Sequence, residues 1–304
     1  MQSTNIKKII KTSLASLLIT SFTLPSISMA SEEGSNVIPS ETMISNPWDD
    51  SSNVQYITEE PILLDSEDVV YGEDALLIKE EIIAANEEAE KNKLKLEQED
   101  ALIENELINQ TPRETTPNLS TIQALKSKSW YRTEFTALAV TMASLDCPTA
   151  GNFLKHSLQD KPTDRSYAAG SSKSNGFSKT KAYTDISVPM ATAIDKANKA
   201  GEKATGAFNK SKATYIDNVG LDWYLTIGKF SYDWMAEKQS NGKWKVYIGI
   251  HDRYDYTKSK RIPGRFPSNL ITLVTNHAAD AQTAKAIVPY KVDLYMEQSY
   301  TAKK

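Results

Sequence analysis

Residues 223–252 read WYLTIGKFSYDWMAEKQSNGKWKVYIGIHD, and the fold follows from how this stretch divides. Trp223 to Lys238 and Trp244 to Asp252 are rich in aromatic and β-branched side chains, the composition of strands. Between them stands Ser240-Asn241-Gly242-Lys243. Asn-Gly accepts the positive φ angles of a tight reversal, so the two runs are expected to pair antiparallel. A two-residue turn at Asn241-Gly242 would set Ser231 opposite Asp252 and Tyr232 opposite His251. One face would then carry Ile227, Met235, Val246, Ile248 and Ile250, and the other Phe230, Tyr232, Trp234 and Tyr247. The aliphatic face suits packing against helices, and the aromatic one suits further strands or a binding surface.

Downstream, Ser268 is a good N-cap for a helix reaching about Ala286. A last strand, Val288 to Met296, alternates Tyr290, Val292, Leu294 and Met296. The tail therefore reads β-β-α-β. Upstream, helical periodicity covers about 121–145, 149–159 and 184–199, with Pro189 best placed in the first turn of the third. Between them, 161–181 is rich in Ser, Gly and Lys without a period, and reads as a loop. Residues 119–304 are thus expected to form one α+β domain, its helices packed on a small antiparallel sheet.

The preceding chain differs in kind. Residues 73–110 are helix formers without Gly or Pro, and Leu77, Ala84, Leu94, Ala101 and Ile108 recur at helical intervals as an apolar seam. One long helix is expected, ended at Thr111-Pro112 and followed by a linker to residue 118. Residues 31–72, with Ser, Asn, acidic residues and scattered Pro, read as an acidic disordered segment. Residues 1–30 have cationic Lys7, Lys8 and Lys11, an apolar stretch from Leu14 to Ile27, and Ser28-Met29-Ala30 before an acidic start. That order is a cleavable signal peptide, so a secreted, extracellular protein is expected.

Charge separates the same parts. Residues 31–118 hold 23 acidic and 5 basic residues, net −18, and residues 119–304 hold 16 acidic and 27 basic, net +11. A basic domain attracts polyanions without any special motif. The acidic stretch 31–118 could fold back on it as an intramolecular mask, or serve as a solubilising spacer. Cys147, the single cysteine, cannot close an intrachain bridge and precedes Pro148 in a helix–helix turn, where a structural thiol is expected. Three scattered histidines give no zinc spacing, and neither a Gly-x-Ser-x-Gly elbow nor a phosphate loop is present.

One segment gathers chemistry. Ile250-His251-Asp252-Arg253-Tyr254-Asp255-Tyr256 is followed by Lys258, Lys260 and Arg261 where a strand leaves the sheet. Asp252 and Asp255, three residues apart, could hold a divalent cation such as Mg²⁺, or divide acid and base roles, because mutual repulsion separates their pKa values. An arginine beside them would hold a phosphate oxygen bidentately, and Arg253, Lys258, Lys260 and His251 are the expected binding residues. A polar strand end with solvated cations is the plainer alternative. His251 should point to the opposite face from Asp252 if the strand is regular.

Asp252-x-Tyr254-Asp255 with its basic cluster is similar to the Asp-x-Tyr-Asp signature of the colicin M type bacteriocins. That resemblance implies cleavage of the lipid-linked peptidoglycan precursor at a phosphoester with Mg²⁺, with Asp252, Tyr254 and Asp255 catalytic and Arg261 the cationic partner. The family closes its signature with a His-Arg pair, where this chain has Lys260-Arg261. A broader resemblance rests on His156-Ser157-Leu158-Gln159-Asp160-x-Pro162, Trp223-Tyr224-Leu225, Asp252-x-Tyr254-Asp255-Tyr256 and Val288-Pro289-Tyr290. These look like a set of secreted Gram-positive proteins and support the domain limits and compartment. Two functions are expected from this reading: a toxin-like phosphoester hydrolase acting on an anionic cell-wall or membrane component, or a non-catalytic binding module for an anionic polymer or partner protein. The extracellular compartment argues against nucleic acid as the target.

Overall fold

The computed structural model describes residues 69–110, 126–214, 216–258 and 268–303, the side chains of 216–218 and 268–273 excepted. The expected signal peptide, most of the acidic segment, the expected linker, Lys260 and Arg261 lie outside the described residues. In chain order the elements are β1 (Val70–Tyr71), α1 (Gly72–Asn109), α2 (Lys128–Ser144), α3 (Pro148–Ser157), β2 (Arg165–Tyr167), α4 (Ser172–Phe177) and α5 (Lys181–Ala200). Then follow β3 (Ala204–Ala213), α6 (Ile216–Tyr224), β4 (Lys229–Lys238), β5 (Trp244–Tyr254), α7 (Ser268–Thr283) and β6 (Tyr290–Tyr300). The six strands form one sheet in the order β1-β3-β4-β5-β6-β2, antiparallel except for the parallel edge pair β6–β2. The α+β class and the β-β-α-β tail stand as expected.

The hairpin forms, but one residue out of the expected register. Gln239 N donates to Lys243 O at 2.7 Å and Gly242 N to Gln239 O at 2.9 Å, and Gly242 takes the left-handed conformation at φ 80. The loop is therefore three residues long, Ser240-Asn241-Gly242, the form that ends in a left-handed glycine. Ser231 consequently pairs with His251 and Tyr232 with Ile250. A slip of one position exchanges which half of β4 shares a face with which half of β5. Phe230, Tyr232 and Trp234 lie with Val246, Ile248 and Ile250 in the main core, and Met235 joins Tyr247 and Tyr295 on the other face. Trp223 and Tyr224 belong to the end of α6 rather than to a strand.

The first face packs against α4 and α5. Thr180 caps α5, its hydroxyl accepting from Tyr183 N, and Gly201 at φ 80 ends it. Pro189 sits inside α5 rather than in its first turn. Ile186, Met190, Ile194 and Ala197 of α5 are buried against the sheet aromatics, and each large apolar side chain so buried stabilises by about 1.5–3 kcal/mol. The supposed loop 161–181 contains β2 and α4 instead of a featureless connection.

The second face is covered along much of its length by α1. Its buried residues are Ala75, Ile78, Ile82, Ala89, Asp100 and Leu107, so the expected seam faces outward: Leu77, Leu94 and Ile108 are 58%, 75% and 59% exposed. The domain beneath is shaped for the helix by two glycines. A Cβ at Gly206 would lie 2.6 Å from Trp234 O and 3.1 Å from Ile78 Cδ1, and one at Gly151 2.7 Å from Ala139 O and 3.3 Å from Leu107 Cδ1. Deeper in, Arg165 Nη1 donates to Asp100 Oδ1 and Asn152 Oδ1, both at 2.6 Å, and Lys173 pairs with Glu104. Burial pushes the Asp100 carboxyl up, opposed by the Arg165 and Lys173 charges. Removing one member of such a buried pair costs about 3–5 kcal/mol. A second core joins α2, α3, α7 and Leu107 of α1. No helix among the described residues is long and apolar enough to cross a membrane.

Candidate functional site

The titratable segment lies where β5 leaves the sheet and β4 enters it. Strand alternation splits it between the two faces, as expected for His251 and Asp252. On the helix side, a cleft of about 490 Å³ opens between the second core and the strand ends. Phe135, Leu138, Met142, Leu221, Leu225 and Val274 line its apolar part, and Lys229, Asp252, Arg253 and Asp255 its polar end. Apolar walls with a few convergent polar groups are the usual form of a small-molecule site.

Asp252 is the most perturbed carboxyl at this cleft. Its Oδ1 accepts from Arg253 N at 2.8 Å and its Oδ2 from Gly228 N at 3.3 Å. Burial raises its pKa, the two backbone hydrogen bonds oppose that, and the Asp255 charge raises it further, to about 7. A carboxyl there is populated in both protonation states at neutral pH, as proton transfer requires. Asp255 is exposed and faces Arg253, Nε to Oδ2 3.7 Å. The two aspartates offer a cation at most two side-chain ligands. Among the described residues no group of three His, Cys, Asp or Glu converges, and both Asp252 oxygens already accept hydrogen bonds. The donor set does not by itself make a Mg²⁺ centre.

The other predicted residues part company. Tyr254 is buried in the cleft wall against Phe153 and Tyr290, its hydroxyl 2.8 Å from that of Tyr256. Burial raises its pKa well above the ordinary value, so it stays neutral. Lys258 Nζ pairs with Asp280 Oδ1 of α7 at 2.5 Å. Cys147 also lines the cleft. Burial, then the Asp222 and Asp146 charges, push its thiol up to about 12, which suits the structural role expected of it.

His251 lies on the opposite face, where Asp293 Oδ1 stands 2.8 Å from Nδ1 and Asp233 Oδ2 3.5 Å from Nε2. Burial alone would lower the imidazole, but the hydrogen bonds and charges of Asp233 and Asp293 outweigh it and lift the pKa to about 9. The ring is an imidazolium at neutral pH and donates from both nitrogens. A shallow trough of about 710 Å³ surrounds it, with Ser211, Ser231, Arg253 and Lys291 among its walls. No α1 residue lines the cleft or the trough.

Lys229, Lys291, Asp233, Asp293 and the apolar cleft walls escaped the sequence reading. Only the strand register brings them to the Asp252 end of β5, and the sole local sign was the polar strand end itself. The fold and cleft define an α+β protein with an amphipathic site at one end of its sheet. No family model, curated protein or solved structure matches the chain.

Proposed function

We propose that this is an exported protein whose basic domain acts on an anionic amphiphile of the cell envelope, cleaving a phosphoester of a lipid-linked precursor. The observation that carries this reading is a deep apolar cleft ending at a carboxyl of pKa about 7 flanked by Lys229 and Arg253. An apolar chain removes the cleft walls from water, at roughly 25 cal/mol per Å², while the cations hold phosphate oxygens at the mouth. In its ionised form Asp252 takes the proton of a water that attacks phosphorus. The new P–O bond forms as the bond to the leaving oxygen breaks, and solvent protonates that oxygen.

The test is turnover of a polyprenyl pyrophosphate-linked precursor in detergent micelles by the wild-type chain and by Asp252→Asn. General-base removal should cost about 10²–10⁴-fold in rate, with the circular dichroism spectrum unchanged. Equal rates would remove Asp252 from the chemistry. One observation favours a second reading, the non-catalytic binding module: the Tyr254 hydroxyl is spent on Tyr256 inside the core, so the colicin M type signature contributes only its two aspartates to the cleft mouth. That reading expects retention of the lipid without turnover by either protein.

A further inference from the structure

The sheet face that carries His251 brings a row of like charges side by side at its strand ends. Arg253 pairs directly with Lys291 across β5 and β6, in the same ladder that sets His251 opposite Asp293. Lys229, two residues before Ser231 on β4, continues the row on the same face, because Ser231 pairs with His251. Two residues further in along each strand, Ser211, Ser231 and His251 stand side by side on β3, β4 and β5. Like charges directly opposite one another on a sheet destabilise it. Carboxylates relieve this in part: Asp255 pairs with Arg253 at 3.7 Å, Asp164 accepts from Lys291 N at 2.8 Å and Asp252 lines the same trough, whereas Asp293 and Asp233 are committed to the His251 imidazolium. Lys229 and Lys291 are exposed, and the three cations line one trough with Ser211, Ser231, Asp252, Asp255 and Asp293.

We propose that this trough is a second binding site, for a phosphate-type polyanion such as a pyrophosphate. Arg253 holds two of its oxygens as a planar fork, Lys229 and Lys291 supply point charges on either side, and the Ser211 hydroxyl donates from the inner row, joined by that of Ser231 when it turns from its 3.4 Å bond to His251 O. His251 serves the site by holding Asp233 and Asp293 away from the anion, since both carboxylates accept from its ring. The trough and the apolar cleft share Lys229, Asp252, Arg253 and Asp255, so a single ligand with an apolar tail and an extended anionic head can occupy both by bending over the strand ends. This extension to one ligand rests on the amphiphile reading above, whereas the anion site stands on the cation row alone.

Titration calorimetry of the full chain separates the two. Inorganic pyrophosphate is the first probe, and phosphatidylcholine vesicles doped with a polyprenyl pyrophosphate are the second. Wild type should bind pyrophosphate with an affinity that falls as salt rises. The double variant Arg253→Gln, Lys291→Gln should lose at least tenfold, and Ser231→Asp, which sets a carboxylate in the trough, should lose as much. Lys196→Gln, on α5, should lose nothing. Thermal melting monitors folding; Arg253, Lys291 and Lys196 are exposed and Ser231 is half-buried. Absence of pyrophosphate binding by wild type, or equal loss in Lys196→Gln, overturns the site. Binding of pyrophosphate through the row with no response to the doped vesicles leaves the anion site standing and removes the amphiphile.

Discussion

Asp252 and His251 are neighbours in sequence with opposite electrostatic fates, because one turns into the cleft and the other onto the charged face. Asp252 has a pKa raised from 3.8 to about 7, so the folded state binds its proton more tightly than the unfolded chain does. Its contribution therefore favours folding at low pH and is lost as pH rises from about 4 through 7. Asp252→Asn should raise thermal stability at pH 8 by about 1–2 kcal/mol, with the gain vanishing near pH 4; a variant less stable than wild type at pH 8 contradicts the buried-carboxyl account. His251 has the reverse sign. Its pKa is raised from 6.5 to about 9, so its stabilisation is complete below pH 6.5 and disappears as pH passes 9. His251→Gln leaves Asp233 and Asp293 facing each other without a cation, and should lower stability by roughly 1 kcal/mol at pH 6, a modest figure because the ring is about one-third exposed. Urea titrations of both proteins at pH 6 and pH 10 should converge at the higher pH.

At the scale of the element, α1 shows how a correct helix can carry a wrong face. Its extent, Gly72–Asn109, is close to the span 73–110 drawn from helix propensity and the absence of Gly and Pro. Its apolar residues are spread around the axis, so several seams can be traced, and burial was settled by the sheet it meets. The buried side follows Ile78, Ile82, Ala89 and Leu107, where Gly206 and Gly151 leave room. Gly151→Ala, which drives a methyl into Ala139 O at 2.7 Å, should destabilise by about 1–3 kcal/mol through overpacking, read as a lower denaturation midpoint with unchanged slope. Leu94→Ala, on the outward side, should change stability by less than about 0.5 kcal/mol. A loss of about 2 kcal/mol or more for Leu94→Ala, the cost of truncating a buried leucine, would place α1 on its other face. The hairpin teaches the same lesson: Asn-Gly marked the turn, and a single added loop residue exchanged the partner faces of β4 and β5.

At the scale of the molecule, the acidic helix is part of the sheet's cover, since Met235, Tyr247 and Tyr295 are buried in the cluster that includes its Ala75 and Ile78. A chain beginning at Lys126 should lose cooperative melting and bind a hydrophobic dye, whereas one beginning at Val69 should melt like the full chain. A cooperative melt of the shorter chain would refute the role given to α1. Masking of the basic domain by the rest of the acidic leader is a separate proposal. Residues 31–68 carry 10 acidic and no basic residues, and their removal should raise affinity for anionic vesicles at low salt; unchanged affinity dismisses the mask.

Local chemistry was enough to read the α+β class, the long helix, the β-β-α-β order and the gathering of charged residues around Asp252, because propensity, periodicity and turn residues act between near neighbours. Strand register, the inward side of α1, the burial of Tyr254, and the meeting of Lys229, Arg253 and Lys291 all depend on segments far apart in the chain. Those are choices between alternatives that look equally good over a few residues. They are resolved only when close packing admits one shape, as where Ile78 and Leu107 find the space above two glycines.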